Sequence, residues 1–388
     1  MRIKKPVQRV ADYPALVFIL FYRAMANAVI RLIRFLLFGA GAGNPKKILI
    51  FRTGSLGDSI CALPAIVQIK KKYPQAEIDI LTNAGASNLV SMQKLLHPDA
   101  YHKIIDYFGS SIPELGKQIK ANAFDLVVEL PQYDSSLFRL LRNMIFFRFK
   151  TGIKKGFGWQ LDNVNAFKAK QNRGIIFSDE RNRLLSIINK YTGQTGGEMV
   201  FPLAITNDDQ SAVTHWMQQN GLDVTKKIIA IVPGAKRHTN TWPKENFEQL
   251  VDYFAQEQQI VLCGGVNEKE LAQSLIKDHT GVWNACGVFS PVQTAVFFGQ
   301  CQLVITNDTG PLHLAYAAGT PSVSLFSNRD YAHRWFPPQE GTHKTFRATD
   351  IDCAPCFLEQ CPFNNKCLRA IEVSAVKQAA EDILQKNK

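Results

Sequence analysis

The stretch "ILIFRTGSLGDSICALPAI", residues 48–66, decides the fold. Apolar residues lead into a loop that contains Gly54 and Gly57, and an apolar, helix-like run follows. A short buried strand, a glycine turn and a helix form the repeating element of a parallel α/β sheet. Asp58 stands where the helix begins. Its carboxylate is either a helix-capping group, worth about 1 kcal/mol, or a general base that faces a bound ligand.

Short apolar runs and helical patterns alternate along the rest of the chain. In the first half, strands are expected at "ILIFRT", "AEIDILTN", "YHKIIDY" and "FDLVVELP". In the second half, they are expected at "KIIAIVPGA", "QIVLCGG", "CQLVITND" and "PSVSLF". A tract rich in Gly, Thr and polar residues, around 190–208, separates the two series. The pattern predicts two similar parallel α/β domains with a cleft between them.

The overall charge indicates an anionic partner. The chain has 388 residues, 46% of them hydrophobic and 20% charged, with a formal net charge of +12. Residues 1–40 hold seven basic residues and one acid, a net charge of +6 in a strongly apolar segment. Because the excess charge is concentrated in apolar segments, a nucleic-acid partner is disfavoured and a membrane surface is favoured.

The polar residues of this N-terminal segment share one side of a helix. At about 100° per residue, Arg23, Asn27, Arg31 and Arg34 fall within an arc of roughly 80°. This pattern predicts an amphipathic helix in the plane of a membrane, with its arginines toward lipid phosphates. A spanning helix and an ordinary core or oligomer-contact helix are the alternatives. A second basic and apolar tract, residues 135–159, is either a packed helix or a platform for a lipid-anchored acceptor.

Three strand-end loops in the second half are suited to a nucleotide sugar. In "TNDTGPLHLAYAAGTP", residues 306–321, free amides at Thr309 and Gly310 predict a nest for a diphosphate. Asp308 would bind a sugar hydroxyl or pair with a cation there, and His313 is either a ligand or a packing residue. The chain contains neither G-x-G-x-x-G nor G-x-x-x-x-G-K-[ST], so dinucleotide and P-loop chemistry lack support.

The other two loops offer cations and an acid. Lys236 and Arg237, in "VPGAKRHTNTWPKENF", would neutralise a leaving diphosphate, or they belong to a solvated loop. Glu268, in "CGGVNEKE", would accept hydrogen bonds from ribose hydroxyls, or it is a first-turn helix acid.

Four motifs in this order give the chain a family resemblance. They are "KKILIFRTGSLGDSICALPAIVQIKKKYP", "VPGA" followed by "TWPKENF", "VLCGG", and "ITNDTGPLHLAYAAGTPSVSLF". Residues 47 to about 375 resemble glycosyltransferase family 9, the ADP-heptose:lipopolysaccharide heptosyltransferases and their relatives. The resemblance implies two Rossmann-like domains facing a cleft, the B-type glycosyltransferase fold. It also implies transfer with inversion and without a catalytic metal or other cofactor.

The resemblance assigns roles to individual residues. Asp58, in the "GD" loop with Gly57, matches the catalytic base of the family. The donor diphosphate and sugar site matches Asp308, Thr309, Gly310 and His313. Glu268 matches a ribose contact, and Phe289 falls about where the family packs a side chain against the base.

One departure concerns the donor phosphates. Relatives usually carry a lysine or arginine two residues before the Trp-Pro pair, where this chain has Asn240. Either Lys236 and Arg237 substitute for that cation, or the donor differs from ADP-heptose.

These inferences predict four segments. Residues 1–43 are the membrane-associated segment, 44–200 the acceptor domain, 201–375 the nucleotide-sugar domain and 376–388 a C-terminal helix. The expected enzyme sits on the cytoplasmic face of the inner membrane, peripheral or monotopic. It moves a heptose or related sugar from a nucleotide-diphosphate donor to a lipid-linked glycan such as the lipopolysaccharide core. A sugar-nucleotide-binding protein without transfer activity and a two-Rossmann epimerase are the alternatives.

Four of the eight cysteines lie within fifteen residues. Their C-x2-C-x4-C-x5-C spacing fits a structural zinc or iron–sulfur site, or two disulfides in an oxidising compartment. In a cytosolic enzyme the metal is favoured. The four residues are Cys353, Cys356, Cys361 and Cys367.

Overall fold

The computed structural model describes residues 13–39, 41, 43–83, 92–162, 178–338, 342–349 and 351–386. The described residues fall into two compact units. Unit 1 draws on Met1–Gly54, Pro64–Ser87 and Ala100–Glu198. Unit 2 draws on Ser55–Leu63, Asn88–Asp99 and Met199–Lys388. The loop that carries Asp58 is therefore grouped with the second half of the chain.

Unit 1 is built on a five-stranded parallel sheet. Its strands are β1 (Lys47–Phe51), β2 (Glu77–Thr82), β3 (Lys103–Asp106), β4 (Leu126–Glu129) and β5 (Gly156–Phe157). They are arranged in the order β3-β2-β1-β4-β5. The helices are α1 (Tyr13–Phe38), α2 (Leu56–Lys72, whose first residues belong to unit 2), α3 (Ile112–Ala121), α4 (Leu137–Ile145) and α5 (Glu180–Thr192). Because β1 has β2 on one side and β4 on the other, the strand order reverses direction at β1.

Unit 2 repeats the same order with one further strand. Its strands are β6 (Ile228–Val232), β7 (Gln259–Leu262), β8 (Val282–Asn284), β9 (Leu303–Asn307), β10 (Ser322–Phe326) and β11 (His343–Arg347). They run β8-β7-β6-β9-β10-β11, all parallel. The helices are α6 (Asn207–Gln219), α7 (Lys244–Phe254), α8 (Lys269–Ile276), α9 (Pro291–Gly299), α10 (Gly310–Ala317), α11 (Lys366–Arg369) and α12 (Val373–Lys386). The predicted α/β class with two parallel sheets is confirmed.

The β strands behave as buried parallel strands should. Every residue of β6, β7, β9 and β10 is buried, since helices cover both faces of the sheet. Strand β11 was not predicted, because "HKTFR" is only half-buried and carries no apolar run. It pairs with β10 at the edge of the sheet, where burial on both faces is not required.

The side of helix α1 that was expected to face lipid phosphates packs on unit 1 instead. Ile19, Ala26 and Ile30 on this side are buried. The Arg23 guanidinium donates to the Asp162 carboxylate at 2.8 Å, and the Arg34 guanidinium lies over the Tyr191 ring, 5.3 Å from its centroid. The expected direction was wrong for Arg23, Asn27 and Arg34, because periodicity does not show what an arc faces, whereas Arg31, the fourth residue of the arc, is exposed.

Two further sets of bonds fix α1 to the unit. The Asn27 amide donates to the Leu161 carbonyl and accepts from the Leu161 N–H, both at 2.9 Å. Asp162, the partner of Arg23, also accepts from Arg183 at 2.7 Å. Arg183 in turn binds Glu180 at 2.7 Å. Each of these buried charges is thus paired with an opposite charge, as buried ions require, and the series of ion pairs starts at Arg23 of α1.

None of the helices in the described part of the chain combines the length and hydropathy that a membrane crossing requires.

Candidate functional site

The predicted site residues lie after the carboxyl ends of β1, β6, β7, β8 and β9, where α/β sheets bind ligands. β6 and β9 flank the switch point of the unit 2 sheet. All the site residues described below lie in unit 2.

Asp58 lies in the first turn of α2, and its carboxylate accepts hydrogen bonds at the start of that helix. Its Oδ2 accepts hydrogen bonds from the Ser55 N–H at 2.8 Å and from the Ser55 hydroxyl at 2.9 Å. The side chain is half-buried. Asp58 is the third residue of α2 and not the capping residue before it; that place is taken by Ser55, to which the carboxylate is bound.

The Asp58 loop packs directly against the first turn of α10. A β-carbon on Gly310 would come within 2.9 Å of Leu56 Cδ2. A β-carbon on Gly57 would lie 2.7 Å from Cδ2 of His313. The two residues that precede Asp58 thus touch the first turn of the helix at which a diphosphate nest was predicted.

His313 is a buried residue with partners of its own. Its side chain is 4% exposed, and Nδ1 lies 2.7 Å from the Tyr316 hydroxyl. The Cys61 thiol lies 3.3 Å from the same hydroxyl and 3.6 Å from Nδ1. These contacts hold the imidazole in one orientation, with its other edge against Gly57. A donor-binding role for His313 stays a prediction.

The start of α10 has the features of an anion site. Thr309 is extended and, within the described residues, its hydroxyl makes no capping hydrogen bond to the helix. Pro311 lies in the first turn, where it has no N–H to leave unsatisfied. The N–H groups at such a helix start favour an anion. This geometry supports the predicted roles of Thr309 and Gly310.

Asn240, at the position where relatives usually carry a cation, binds Asp308. Its side-chain amide donates to the Asp308 carboxylate at 3.2 Å and to the Asp308 carbonyl at 3.1 Å. Its oxygen accepts from the Ser327 hydroxyl at 2.7 Å. Burial raises the pKa of Asp308 to about 7, and the nearby Asp330 charge adds to the effect. Asn240 is thus a positioning residue for the loop after β9.

Three arginines surround Asp308, and sequence reasoning found only one of them. The charges of Arg237, Arg329 and Arg334 oppose the rise in its pKa, so all three are within electrostatic range of the carboxylate. Arg237 and Lys236 are exposed. Arg329 and Arg334 lie in the loop after β10, "SNRDYAHRW". The available signal was the presence of two arginines so soon after the end of a strand.

The Arg334 side chain has a defined setting. It donates to the Asp330 carboxylate at 3.1 Å and stacks over the Trp335 ring at 4.6 Å. The Trp335 indole N–H donates to the same carboxylate at 2.9 Å, and its ring contacts His313 edge-on, with 6.0 Å between ring centroids. Arg334 is therefore held beside α10.

Asn307 is a second residue that sequence reasoning passed over. Its buried amide donates to the Pro233 carbonyl at 2.9 Å and accepts from the Trp242 N–H at 3.0 Å. One side chain thus joins the ends of β9 and β6 to the Trp-Pro turn. A buried Asn at the end of an apolar strand was the signal, because such an amide must have partners.

Glu268 occupies a space left by glycines. A β-carbon on Gly234 would fall 2.2 Å from Glu268 Cγ, and one on Gly264 would fall 3.0 Å from Glu268 Cβ. The side chain is half-buried between the ends of β6 and β7. Its predicted role as a ribose contact is untested, but its position at these strand ends is one a nucleotide would use.

Phe289 is part of an aromatic cluster. Its ring stacks on Phe297, with 5.3 Å between centroids, and meets Trp216 edge-on at 5.1 Å. Packing accounts for the residue without a ligand, and its role beside a base remains a prediction.

The structure does not support the predicted zinc or iron–sulfur site. Across the described residues, no group of three or more His, Cys, Asp or Glu side chains is arranged to hold a metal ion. All four clustered cysteines are free thiols. The Cys367 sulfur is buried and accepts from the Asn328 N–H at 3.4 Å, so this residue contributes to packing.

The sequence family follows from a direct comparison. Residues 112–367 match the model of glycosyltransferase family 9 (heptosyltransferase), which is about two thirds of the chain. The chain belongs to glycosyltransferase family 9. As a family 9 member it is a glycosyltransferase, and the predicted family and enzyme class are confirmed.

Relatives and solved structures agree with this family. The chain is 24% identical to lipopolysaccharide core heptosyltransferase OpsX of Haemophilus influenzae, over 73% of this chain and 79% of that protein. The fold resembles a family 9 glycosyltransferase from Veillonella parvula, with a TM-score of 0.69, 21% identity, and coverage of 88% of this chain and 98% of the other. It also resembles ADP-heptose lps heptosyltransferase II of E. coli, with a TM-score of 0.62, 19% identity, and coverage of 88% and 100%.

Proposed function

We propose that this family 9 enzyme transfers a heptose or related sugar from a nucleotide-diphosphate donor to a lipid-linked cell-envelope glycan such as the lipopolysaccharide core. The observation that carries the proposal is the contact between the Asp58 loop and the first turn of α10. It supports a site in which the loop that carries the carboxylate meets a helix start suited to a diphosphate. The names of the relatives support the substrate class.

The reaction needs one proton acceptor and one anion site. An acceptor hydroxyl attacks the anomeric carbon, and its proton passes to the Asp58 carboxylate as the new C–O bond forms. The bond from the anomeric carbon to the donor phosphate breaks on the opposite side, so the configuration inverts. The departing nucleotide diphosphate keeps the electron pair.

The negative charge that develops on the leaving group needs stabilisation. The N–H groups at Thr309 and Gly310 and the side chains of Arg329 and Arg334 supply it in this proposal. Lys236 and Arg237 add exposed cations at the same strand ends. Because arginines carry this role, transfer is expected to continue in the presence of EDTA.

The remaining assignments complete the proposal. Unit 1 carries the acceptor, and Glu268 and Phe289 contact the nucleotide. The enzyme works at the cytoplasmic face of the inner membrane as a peripheral or monotopic protein, since its acceptor is lipid-linked. The apolar outer face of α1 supports this location.

The test compares two variants of one hydrogen-bonded pair. Asp58→Asn removes the base but keeps an oxygen that accepts from Ser55, whereas Ser55→Ala removes a capping partner and keeps the carboxylate. If Asp58 is the base, Asp58→Asn loses at least about a hundredfold in turnover with little change in donor affinity. Ser55→Ala then keeps most activity and loses about 1 kcal/mol of stability.

Equal, small losses in both variants would reduce Asp58 to a capping residue. Incubation of the wild type with a panel of nucleotide sugars separates the other functions. Donor binding without turnover would indicate a binding protein, and conversion of the donor without acceptor would indicate an epimerase.

A further inference from the structure

The side of α1 that faces away from unit 1 is apolar along its length. Ten large hydrophobic side chains on this helix are between 37% and 70% exposed. At about 100° per residue, most of them fall opposite Ile19, Ala26 and Ile30, the buried side. They are Val17, Phe18, Leu20, Phe21, Tyr22, Met25, Val29, Leu32, Phe35 and Leu36. Soluble monomers rarely expose so large a continuous apolar surface.

Helix α4 adds a second apolar strip. Phe138 is 77% exposed, Ile145 53% and, in the turn that follows, Phe149 68%. They lie opposite the buried side chains of Leu140 and Met144, which share a hydrophobic core with Ile30 of α1. We call the exposed apolar side chains of α1 and α4 together the apolar face of unit 1.

Charge decides what covers the apolar face. Residues 13–39 and 135–155 contain nine basic residues and no acidic residue. Arg31, Arg142, Lys150 and Lys154 among them are exposed. In a symmetric dimer the same cations would meet across the interface without acids to pair them. An anionic bilayer offers acyl chains for the apolar side chains and phosphates for the cations around them.

We propose that the apolar face of unit 1 inserts into the headgroup–acyl boundary of an anionic membrane, with α1 in the plane of the bilayer. The proposal rests on the proposed function only for the presence of a lipid-linked acceptor. Arg23 and Asn27 hold the helix on the protein through residues 161 and 162, and Arg34 lies over the Tyr191 ring. Insertion of side chains therefore provides most of the binding, and the helix fixes the orientation of unit 1 on the surface.

The experiment measures binding of the full chain to vesicles by sedimentation. The vesicles contain phosphatidylethanolamine and phosphatidylglycerol, with phosphatidylcholine vesicles for comparison. The triple variant Phe21→Gln, Leu32→Gln, Leu36→Gln changes the apolar face. The matched control changes three exposed apolar residues elsewhere: Ile112→Gln, Val200→Gln and Val224→Gln.

We expect the wild type and the control to bind anionic vesicles and to keep most binding in high salt. The triple variant needs at least about tenfold more lipid for half-maximal binding, with an unchanged unfolding temperature. Binding of the triple variant at wild-type level would overturn the proposal. So would a stable wild-type dimer that the triple variant turns into a monomer, because a second copy would then cover the face.

A second measurement does not depend on lost binding. Phe21→Trp places an indole on the apolar face, and its fluorescence should be quenched by lipids brominated on the acyl chain. Val224→Trp should not respond, and no quenching at position 21 would refute insertion. Sugar transfer to a detergent-solubilised acceptor is measured separately. The triple variant should keep this transfer activity. If the wild type transferred no sugar at all, the proposed function would be refuted and the membrane proposal would not be affected.

Discussion

Gly57 touches the imidazole of His313 so closely that a β-carbon at position 57 would lie 2.7 Å from Cδ2 and 2.8 Å from Nε2. The ring cannot turn aside easily, since Nδ1 is bound to the Tyr316 hydroxyl at 2.7 Å. This contact therefore fixes the distance between the loop after β1 and the start of α10. Glycine is the only residue that permits this separation.

Gly57→Ala should misplace the Asp58 loop relative to α10. We expect transfer to fall by about tenfold to a hundredfold, since small displacements of reacting groups cost that much. Steady-state kinetics with donor and acceptor would measure it. Gly299→Ala is the control, because no atom lies within 4 Å of the added methyl group there. Equal activity of the two variants would show that the contact does not position the base.

Arg334→Gln should weaken donor binding. The substitution removes a cation that acts on Asp308 and that is held by Asp330 and Trp335. We expect the KM for the donor to rise about tenfold, in line with the loss of one charge-assisted hydrogen bond. Arg369→Gln, an exposed arginine paired with Glu245 at 3.0 Å, serves as control. Wild-type kinetics in Arg334→Gln, or an equal change in the control, would contradict the role.

Donor affinity should fall as the pH rises through 7. Burial raises the pKa of Asp308 to about 7, so this carboxyl is largely neutral at pH 6 and ionised at pH 8. The ionised form repels the diphosphate, and the Kd should rise by up to about tenfold per pH unit above the pKa. Calorimetry with an intact nucleotide sugar avoids titration of a terminal phosphate. In Asp308→Asn the dependence should disappear; if it persists, another group is responsible.

The stability of the protein should decrease as the pH rises from 5.5 to 8. Burial raises the pKa of Glu129 to about 7, and the Asn143 amide, which donates to it at 2.9 Å, only partly opposes this. Below its unfolded pKa the carboxyl is protonated in both states. Between that value and 7 only the folded state holds the proton. Ionisation at higher pH therefore costs about 2 kcal/mol of unfolding free energy over this interval.

Glu129→Gln keeps the shape of the side chain and removes the charge. Its unfolding free energy, from urea titrations at both pH values, should change less between pH 5.5 and 8 than that of the wild type. An identical pH dependence in the two proteins would assign the effect to another residue.

The sequence predicted the sheets well and the side chains around the ligand loops only in part. Buried parallel strands leave continuous apolar runs, which is why β6 and β9 were found and the half-exposed β11 was not. Asp58 and Thr309 could be placed because each lies at the start of the helix that follows a buried strand. The contribution of Arg334 could not be predicted, because it depends on how the loop after β10 folds back toward α10. The sequence did not show which side of α1 packs on the protein, for a related reason. Asp162, the hydrogen-bond partner of Arg23, lies 139 residues further along the chain.

The absence of a side chain at Gly234 and at Gly264 leaves the space that the Glu268 side chain occupies. A methyl group at either position would meet the stem of that side chain, at 2.2 Å or 3.0 Å. Exchange of the carboxylate itself leaves the two glycines as they are, whereas a methyl group at position 234 would displace the Glu268 side chain and one at position 264 would force it to shift. If Glu268 contacts the nucleotide as proposed, engineering of nucleotide preference should begin at position 268 and leave the two glycines untouched.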